Sequence, residues 1–265
     1  MKRKIADHCV LVTGASSGIG RELARQLAAR SARLLVTARR QAELESLVQE
    51  IRRTDDPTPP EIECLAGDLT DASFRVQLLQ LAQHRWGRLD ALINNAGVGA
   101  MGRFQDSEPA TLRQVMEVNF FAPVELVRLA LPLLQLGQQP IIVNISSVLG
   151  HRAVPLKSEY CASKFALHGW SDALRAELAP QGIDLTLVSP STTDSDFFAH
   201  ALQDSTGKDW KAGGAASVER VAAATLRAMQ RGSHEVILTL GGKSLVLFDR
   251  LAPTLADHAV SRWAQ

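Results

Sequence analysis

Cysteine is scarce and scattered in this chain: Cys9, Cys64 and Cys161 lie far apart and form no Cys-x-x-Cys pair. That spacing makes no disulfide framework, so a reducing, cytoplasmic setting is expected. Charge of one sign is lacking too. The 29 Lys and Arg against 28 Asp and Glu leave a net charge of +1, with no basic stripe interleaved with aromatics, which argues against nucleic acid as a partner. The seven histidines include no His-x-x-x-His pair and none grouped with cysteine, so no metal motif is legible. No apolar run approaches the roughly 18 residues of a membrane span. The basic start Met1-Lys2-Arg3-Lys4 meets Asp7 and His8 before any long apolar run, which is not the layout of a signal peptide. Tyrosine is reduced to one residue, Tyr160. What is present, 46% apolar and 22% charged residues in a chain of 265, is the composition of a soluble globular protein long enough for one large core.

The single tyrosine has a lysine four positions on, in Ser158-Glu159-Tyr160-Cys161-Ala162-Ser163-Lys164. On a helix, residues at i and i+4 share a face. A phenol beside an ammonium has its ionised form favoured, so Tyr160 and Lys164 form a candidate acid/base pair for an alcohol or carbonyl oxygen.

In chain order, Cys9 to Val12 is a short apolar run of the kind that makes a strand buried on both faces. It enters Thr13-Gly14-Ala15-Ser16-Ser17-Gly18-Ile19-Gly20 and then a helix from Arg21 to Ala29. Strand, glycine-rich turn and helix form the context of a dinucleotide site: the glycines let the backbone approach a pyrophosphate, and the helix N-terminus supplies N–H donors. Further strands are expected at Arg33–Thr37, Ile62–Leu65, Leu89–Ile93, Pro140–Ile145, Asp184–Val188 and Glu235–Thr239. They alternate with helices over Gln41–Arg53, Asp71–Trp86, residues 106–136 and Ser217–Met229, the pattern of right-handed βαβ units around a parallel sheet.

A site for NAD needs an acidic side chain about 20 residues past the glycines, to accept from the adenosine ribose. Here Ala38 is followed by Arg39-Arg40. No carboxylate repels a 2′-phosphate and a guanidinium can bind one, so NADP(H) is the expected cofactor with Arg39 as its reader; a solvated strand edge is the alternative. Asn119 is polar on an otherwise apolar helical stripe, reading either as a kink or cap, or as a water-holding site residue. Ser147 and the turn Asn94-Asn95-Ala96-Gly97 follow strands, and so fall on the ligand edge of the sheet beside the glycine loop.

Taken jointly, the glycine loop, Asp68, Asn94 to Gly97, Asn119, Ser147 and Tyr160-x-x-x-Lys164 resemble the short-chain dehydrogenase/reductase family, in its order and spacing, over nearly the whole chain. The resemblance implies one Rossmann-type α/β domain over 1–265, a doubly wound parallel sheet ordered 3-2-1-4-5-6-7 with helices on both faces. It implies Tyr160 as general acid/base, Ser147 polarising the substrate carbonyl, Lys164 lowering the phenol and holding the nicotinamide ribose, and Asn119 holding a water. Gly14, Ser16, Ser17, Gly18, Ile19 and Gly20 would hold the phosphates, Asp68 and Leu69 the adenine, and Asn95, Ala96 and Gly97 would pack beside the cofactor. Pro190, Thr193 and Ser195 would lie at the nicotinamide carboxamide. Homodimers or homotetramers built on helices 106–136 and 157–179 are usual in that family.

One departure stands out. Ser191 replaces a customary glycine after Pro190, so a positive φ there would be less comfortable and a small backbone adjustment is expected. Residues 191–216, with Phe197, Phe198 and Leu202 and then Gly207, Gly213 and Gly214, read as a substrate lid. Residues 243–265 read as a helical extension broken at Pro253, packing on the chain itself, on a sister subunit or against a membrane surface. Val98, Met101, Val154, Phe197 and Phe198 would line a moderately apolar substrate pocket. An NADP(H)-dependent enzyme interconverting a secondary alcohol and a ketone or aldehyde is thus expected. The competing class is a catalytically idle NADP-binding sensor or structural protein; sugar-nucleotide epimerase or dehydratase chemistry ranks third.

Overall fold

The computed structural model describes residues 2–53, 60–194, 197, 201–204 and 215–261. Seven strands form one sheet: β1 (Cys9–Thr13), β2 (Arg33–Ala38), β3 (Ile62–Ala66), β4 (Ala91–Asn94), β5 (Ile141–Ile145), β6 (Asp184–Ser189) and β7 (Glu235–Ile237). Every ladder is parallel, and the spatial order is β3-β2-β1-β4-β5-β6-β7, a Rossmann-type arrangement. Parallel strands need crossovers, supplied by α1 (Gly18–Ala28), α2 (Gln41–Arg52), α3 (Ala72–Trp86), α4 (Pro109–Met116), α5 (Ala122–Gln135), α6 (Ser158–Leu178) and α7 (Val218–Arg231).

The alternation of side chains along each strand divides the core in two. Val10 and Val12 of β1 pack with Leu23, Leu27, Leu44, Leu47 and Leu226 under α1, α2 and α7. Leu11 points the other way, to Leu78, Leu92, Leu126, Leu134 and Leu178 under α3, α5 and α6. Both faces are therefore covered, which is why the strands read as unbroken apolar runs. Helix ends follow local chemistry: Asp71 caps α3 through the N–H of Ser73, and Ser217 caps α7 through that of Arg220.

Two expectations need correction, and a third gains its detail. The stretch 106–136 is not one α-helix: α4 passes into a π-helical turn, Glu117–Phe121, before α5 begins. A regular apolar stripe does not reveal the one extra residue that such a turn inserts, and π turns concentrate at functional sites. The last strand stops at Ile237, because Thr239 instead caps α8 (Leu240–Leu251) through the N–H of Gly242. Ser191 has no positive φ; among the described non-glycine residues only Asp7, Ser31, Gln139 and Leu156 do. Its hydroxyl accepts from Thr239 Oγ1 at 2.9 Å and its carbonyl from Thr193 Oγ1 at 3.2 Å, so serine fits without left-handed backbone.

The C-terminal stretch breaks at Pro253 as expected, into α8 and α9 (Pro253–Ser261). Arg152 holds both, bridging Asp249 at 2.7 Å and Asp257 at 2.6 Å. Val246, Ala256 and Val260 are buried beneath them, while Leu240, Leu247, Leu251 and Leu255 face outward. Residues 262–265, Ser195 and most of the expected lid lie outside the described residues. Among the described residues, no helix is long and apolar enough to cross a membrane.

Candidate active site

The glycine loop joins β1 to α1 at the carboxyl edge of the sheet. Gly14 has φ +67°, a conformation that side chains resist. A Cβ on Gly20 would lie 2.3 Å from Gly14 O and 2.3 Å from Asn95 Nδ2, so the loop closes on itself only with glycine there. Ser17 precedes α1 in extended conformation, its side chain makes no cap, and the first turn carries no acidic residue. The N–H groups and dipole of α1 are thus free of internal anions, as a phosphate would require.

The turn after β4 is bolted to this loop. Thr13 Oγ1 accepts from the N–H groups of Asn95 and Ala96 at 2.9 and 3.0 Å, and Asn95 Nδ2 donates to Thr13 O and Gly14 O at 2.9 and 3.2 Å. Spacing alone did not point to Thr13; its position at the last residue of β1, opposite the β4 turn, is what gives it this role.

Tyr160 and Lys164 lie on the buried face of α6, 6% and 4% exposed. Polar contacts fix that helix along its length. Asn119, carried inward by the π turn, accepts from Val98 N at 2.8 Å and donates to Val98 O and Ser163 Oγ, both at 3.0 Å. Ser163 Oγ donates to Tyr160 O at 2.7 Å. Further along, Asn94 Nδ2 donates to Asn144 Oδ1 and Asn144 Nδ2 to Ser171 Oγ, each at 2.9 Å. These contacts carry α6 across β4 and β5, and buried amides leave little tolerance for slip.

Ser147 comes from the end of β5 and hydrogen-bonds the Tyr160 hydroxyl. Lys164 Nζ donates to Ile145 O at 3.1 Å and stands 5.7 Å from the centre of the Tyr160 ring. Phe197 meets the same ring edge-on, 5.8 Å between centroids. A Cβ on Gly97 would point at Asn119 Oδ1, Lys164 Nζ and Phe197 Cε2, at 3.2, 3.8 and 3.8 Å. The bare glycine leaves room between these groups that a side chain would fill.

The electrostatics differ from the expectation in one respect. Burial pushes the Tyr160 phenol well above its ordinary range, and the hydrogen bond to Ser147 offsets this only in part. Burial pushes Lys164 down to about 8. Burial is the largest influence on both groups, and Lys164 is not among those that lower the tyrosine.

The remaining expected residues are placed as follows. Arg39 is exposed at the end of β2, while Arg40 reaches the glycine loop and donates to Ser16 Oγ at 3.0 Å and Ser17 Oγ at 2.8 Å. The arginine pair was the signal, but not which member would touch the loop. Asp68 accepts from Thr70 N and Oγ1 at 2.9 Å, and Leu69 O from Arg75 at 2.6 Å, beyond the end of β3. Pro190 O accepts from Val148 N at 2.9 Å, and Thr193 pairs with Ala216 in a two-residue parallel ladder. Val98 is buried in a cluster with Ala100 and Val115, against which Leu202 of the expected lid packs, and Phe197 is an apolar group at the tyrosine. Phe198 lies outside the described residues.

Behind Lys164, His168 is pushed down to about 4, first by burial and then by neighbouring His151, against the opposing charges of Glu235 and Asp172. Its unfolded-state value is higher, so below about pH 6.5 the unfolded chain takes up a proton that the folded chain refuses. Stability is therefore complete above that pH and is lost as pH falls toward 4. Glu235 acts in the same direction at the acid end, below about pH 4.5: burial alone would raise it, but hydrogen bonds from His151 and Ser189 hold its carboxyl below the usual range. The expected result is a melting temperature that drops across this window, corresponding to a few kcal/mol, with a flatter profile in His168→Gln.

Comparison with known proteins agrees with this architecture. Residues 8–206 match the family model described as short chain dehydrogenase. Dehydrogenase/reductase SDR family member 7B of Xenopus tropicalis is 33% identical over 258 residues, covering 95% of this chain and 84% of that protein. Dehydrogenase/reductase SDR family member 7 of Homo sapiens is 36% identical over 200 residues, 75% of this chain and 59% of that one. Among solved structures, a short chain dehydrogenase/reductase from Burkholderia phymatum in complex with NAD superposes with TM-score 0.86 at 21% identity, covering 96% of each chain. One from Burkholderia cenocepacia in complex with NADP gives 0.80 at 24%, over 97% of this chain and 99% of that. With a family model spanning most of its length and relatives a third identical across it, this chain belongs to the short-chain dehydrogenase/reductase family.

Proposed function

We propose that this protein is an NADP(H)-dependent oxidoreductase interconverting a secondary alcohol and a ketone or aldehyde, with Tyr160 as general acid/base. The observation that carries the reading is the buried Ser147–Tyr160 hydrogen bond beside Lys164, beneath the glycine turn at Gly97. The nicotinamide, when bound, supplies or accepts the hydride. The chain's own residues handle the oxygen. In reduction, Ser147 and Tyr160 donate hydrogen bonds to the carbonyl oxygen, polarising it, and Tyr160 gives up its proton as negative charge grows there. Lys164, charged below its value of about 8, stabilises the tyrosinate left behind. A relay water would reach Asn119 through the spare lone pair of Oδ1 or its main-chain carbonyl, since the amide is already engaged with Val98 and Ser163.

The phosphates would rest on the N–H groups of Gly18, Ile19 and Gly20, with Ser16, Ser17, Arg39 and Arg40 around an adenosine 2′-phosphate. Neighbours in the fold bind NAD or NADP, so the choice rests on this chain's own arginines. Titration followed by tryptophan fluorescence tests it. NADPH is expected to bind more tightly than NADH, and Arg39→Ala combined with Arg40→Ala should weaken NADPH by about 10–100-fold while leaving NADH within a few-fold. Equal losses for both cofactors would show that neither arginine reads the phosphate.

Residues 191–216 would close over the substrate. Phe197 against Tyr160, and Leu202 and Gln203 hydrogen-bonded to Gly99 and Met101, support this. Exposed Phe121, Leu129 and Phe165 on the π turn, α5 and α6 are the surface on which a homodimer or homotetramer would form. The setting would be cytoplasmic and the substrate moderately apolar.

A further inference from the structure

Three histidine and carboxylate side chains far apart in sequence meet just behind the proposed active site. His151 follows the turn that starts at Ser147, His168 lies on α6 one helical turn past Lys164, and Glu235 opens β7. His151 Nε2 and Glu235 Oε1 are 2.6 Å apart, and Glu235 Oε1 also accepts from Ser189 Oγ at 2.9 Å. Ser189 Oγ stands 3.5 Å from His168 Nε2. The imidazoles pack edge-on with centroids 4.4 Å apart. One ligand-type atom from each of the three residues lies within 4.8 Å of the other two. The packing is specific: a Cβ on Gly150 would come within 2.6 Å of His168 Nε2, so a glycine is needed for that nitrogen to reach the cluster.

We propose that His151, His168 and Glu235 bind one divalent cation of the zinc class, with Ser189 Oγ or a water completing four-coordination. Two imidazoles and one carboxylate are a donor set suited to zinc or cobalt rather than to calcium or magnesium, which prefer oxygen cages. Zinc–ligand bonds near 2.0–2.1 Å put tetrahedral ligand atoms about 3.3 Å apart. The His151–Glu235 contact would open by under about 1 Å and the widest separation would close by about 1.5 Å, within reach of Glu235, the least buried of the three. Ligation requires a neutral imidazole and an ionised carboxylate, so binding the ion replaces the His151–Glu235 hydrogen bond by two bonds to the metal. The ion would cross-link the Ser147 turn, the helix carrying Tyr160 and Lys164, and the edge strand β7. Spacing rules miss the cluster because 84 residues separate His151 from Glu235.

The test uses tag-free full-length protein, stripped with chelator, titrated with zinc chloride by calorimetry and with cobalt chloride by visible absorption. One saturable equivalent per chain is expected, with the d–d absorption of four-coordinate cobalt and a melting temperature that climbs with zinc concentration. Glu235→Gln retains a partner for both His151 and Ser189 while removing the charge, and His151→Gln removes one nitrogen. Each should weaken zinc at least about tenfold. Circular dichroism checks that each variant folds; if one does not, the other decides. Absence of saturable binding in the wild type overturns the proposal, leaving a hydrogen-bonded His–Glu pair. Undiminished binding in the folded variants overturns it too, because the ion would then sit elsewhere.

Discussion

Tyr160→Phe is expected to lower turnover by about 10²–10⁴-fold while cofactor affinity stays within a few-fold. The substitution removes one oxygen and nothing else. The ring keeps its edge contact with Phe197 and its place in the buried face of α6. Ser147 is not left unpartnered, because its Oγ also accepts from Leu149 N at 3.1 Å. Stability should therefore change by no more than about 1 kcal/mol. Removing a buried phenol that burial has made reluctant to ionise should raise the melting temperature slightly at high pH, where the unfolded phenol ionises first. What disappears is the hydroxyl proton donor that Ser147 and Lys164 flank. Steady-state rates combined with fluorescence titration separate the two effects, and near-normal turnover in this variant would exclude Tyr160 as the acid/base.

Gly20→Ala is expected to abolish tight cofactor binding and to destabilise the fold. Its methyl would sit 2.3 Å from a backbone oxygen, Gly14 O, and 2.3 Å from Asn95 Nδ2. Neither can step aside cheaply: Gly14 is held at positive φ, and Asn95 Nδ2 already donates to Thr13 O and Gly14 O. The loop must open, which separates the glycine turn from the β4 turn. Overpacking of this kind costs about 1–3 kcal/mol, and a loop displaced by an ångström no longer presents its N–H groups to a pyrophosphate. Cofactor affinity is expected to fall about 100-fold, corresponding to roughly 3 kcal/mol. Gly169→Ala supplies the contrast. Gly169 lies on the exposed side of α6 with nothing within 4 Å of its would-be Cβ, so alanine there should raise stability by about 0.5–1 kcal/mol. A Gly20→Ala protein as stable and as tightly binding as Gly169→Ala would show that the loop is not the cofactor cradle.

Much of this architecture is legible in the sequence because it rests on local chemistry. β1, β2 and β5 are buried on both faces, so they appear as apolar runs, and Asp71 and Ser217 announce the helices that they cap. The sites that spacing missed all depend on directions or distances that sequence does not encode. The stripe through Val115, Asn119 and Val127 has helical rhythm with or without the extra residue of a π turn. Two adjacent arginines end β2, and only the fold decides that Arg40 turns to Ser16 and Ser17. An i, i+4 pairing suggests that Lys164 acts on Tyr160, yet the depth of burial, set by α6 against β5 and the Gly97 turn, governs both groups. Ser191 looks strained beside a family pattern, but Thr239 and Thr193 give it ordinary partners.

The most direct test of the central claim is isotope transfer. Wild-type protein would be incubated with NADPH carrying deuterium at the nicotinamide C4, against a panel of aldehydes and ketones of graded apolar size, and the alcohol products analysed by mass spectrometry. One deuterium at the carbinol carbon of at least one product, with none delivered by Tyr160→Phe, is the predicted result. Saturable NADPH binding with no transfer to any carbonyl, and no reverse transfer from the corresponding deuterated alcohols, would contradict it and identify the chain as a cofactor-binding protein that performs no such chemistry.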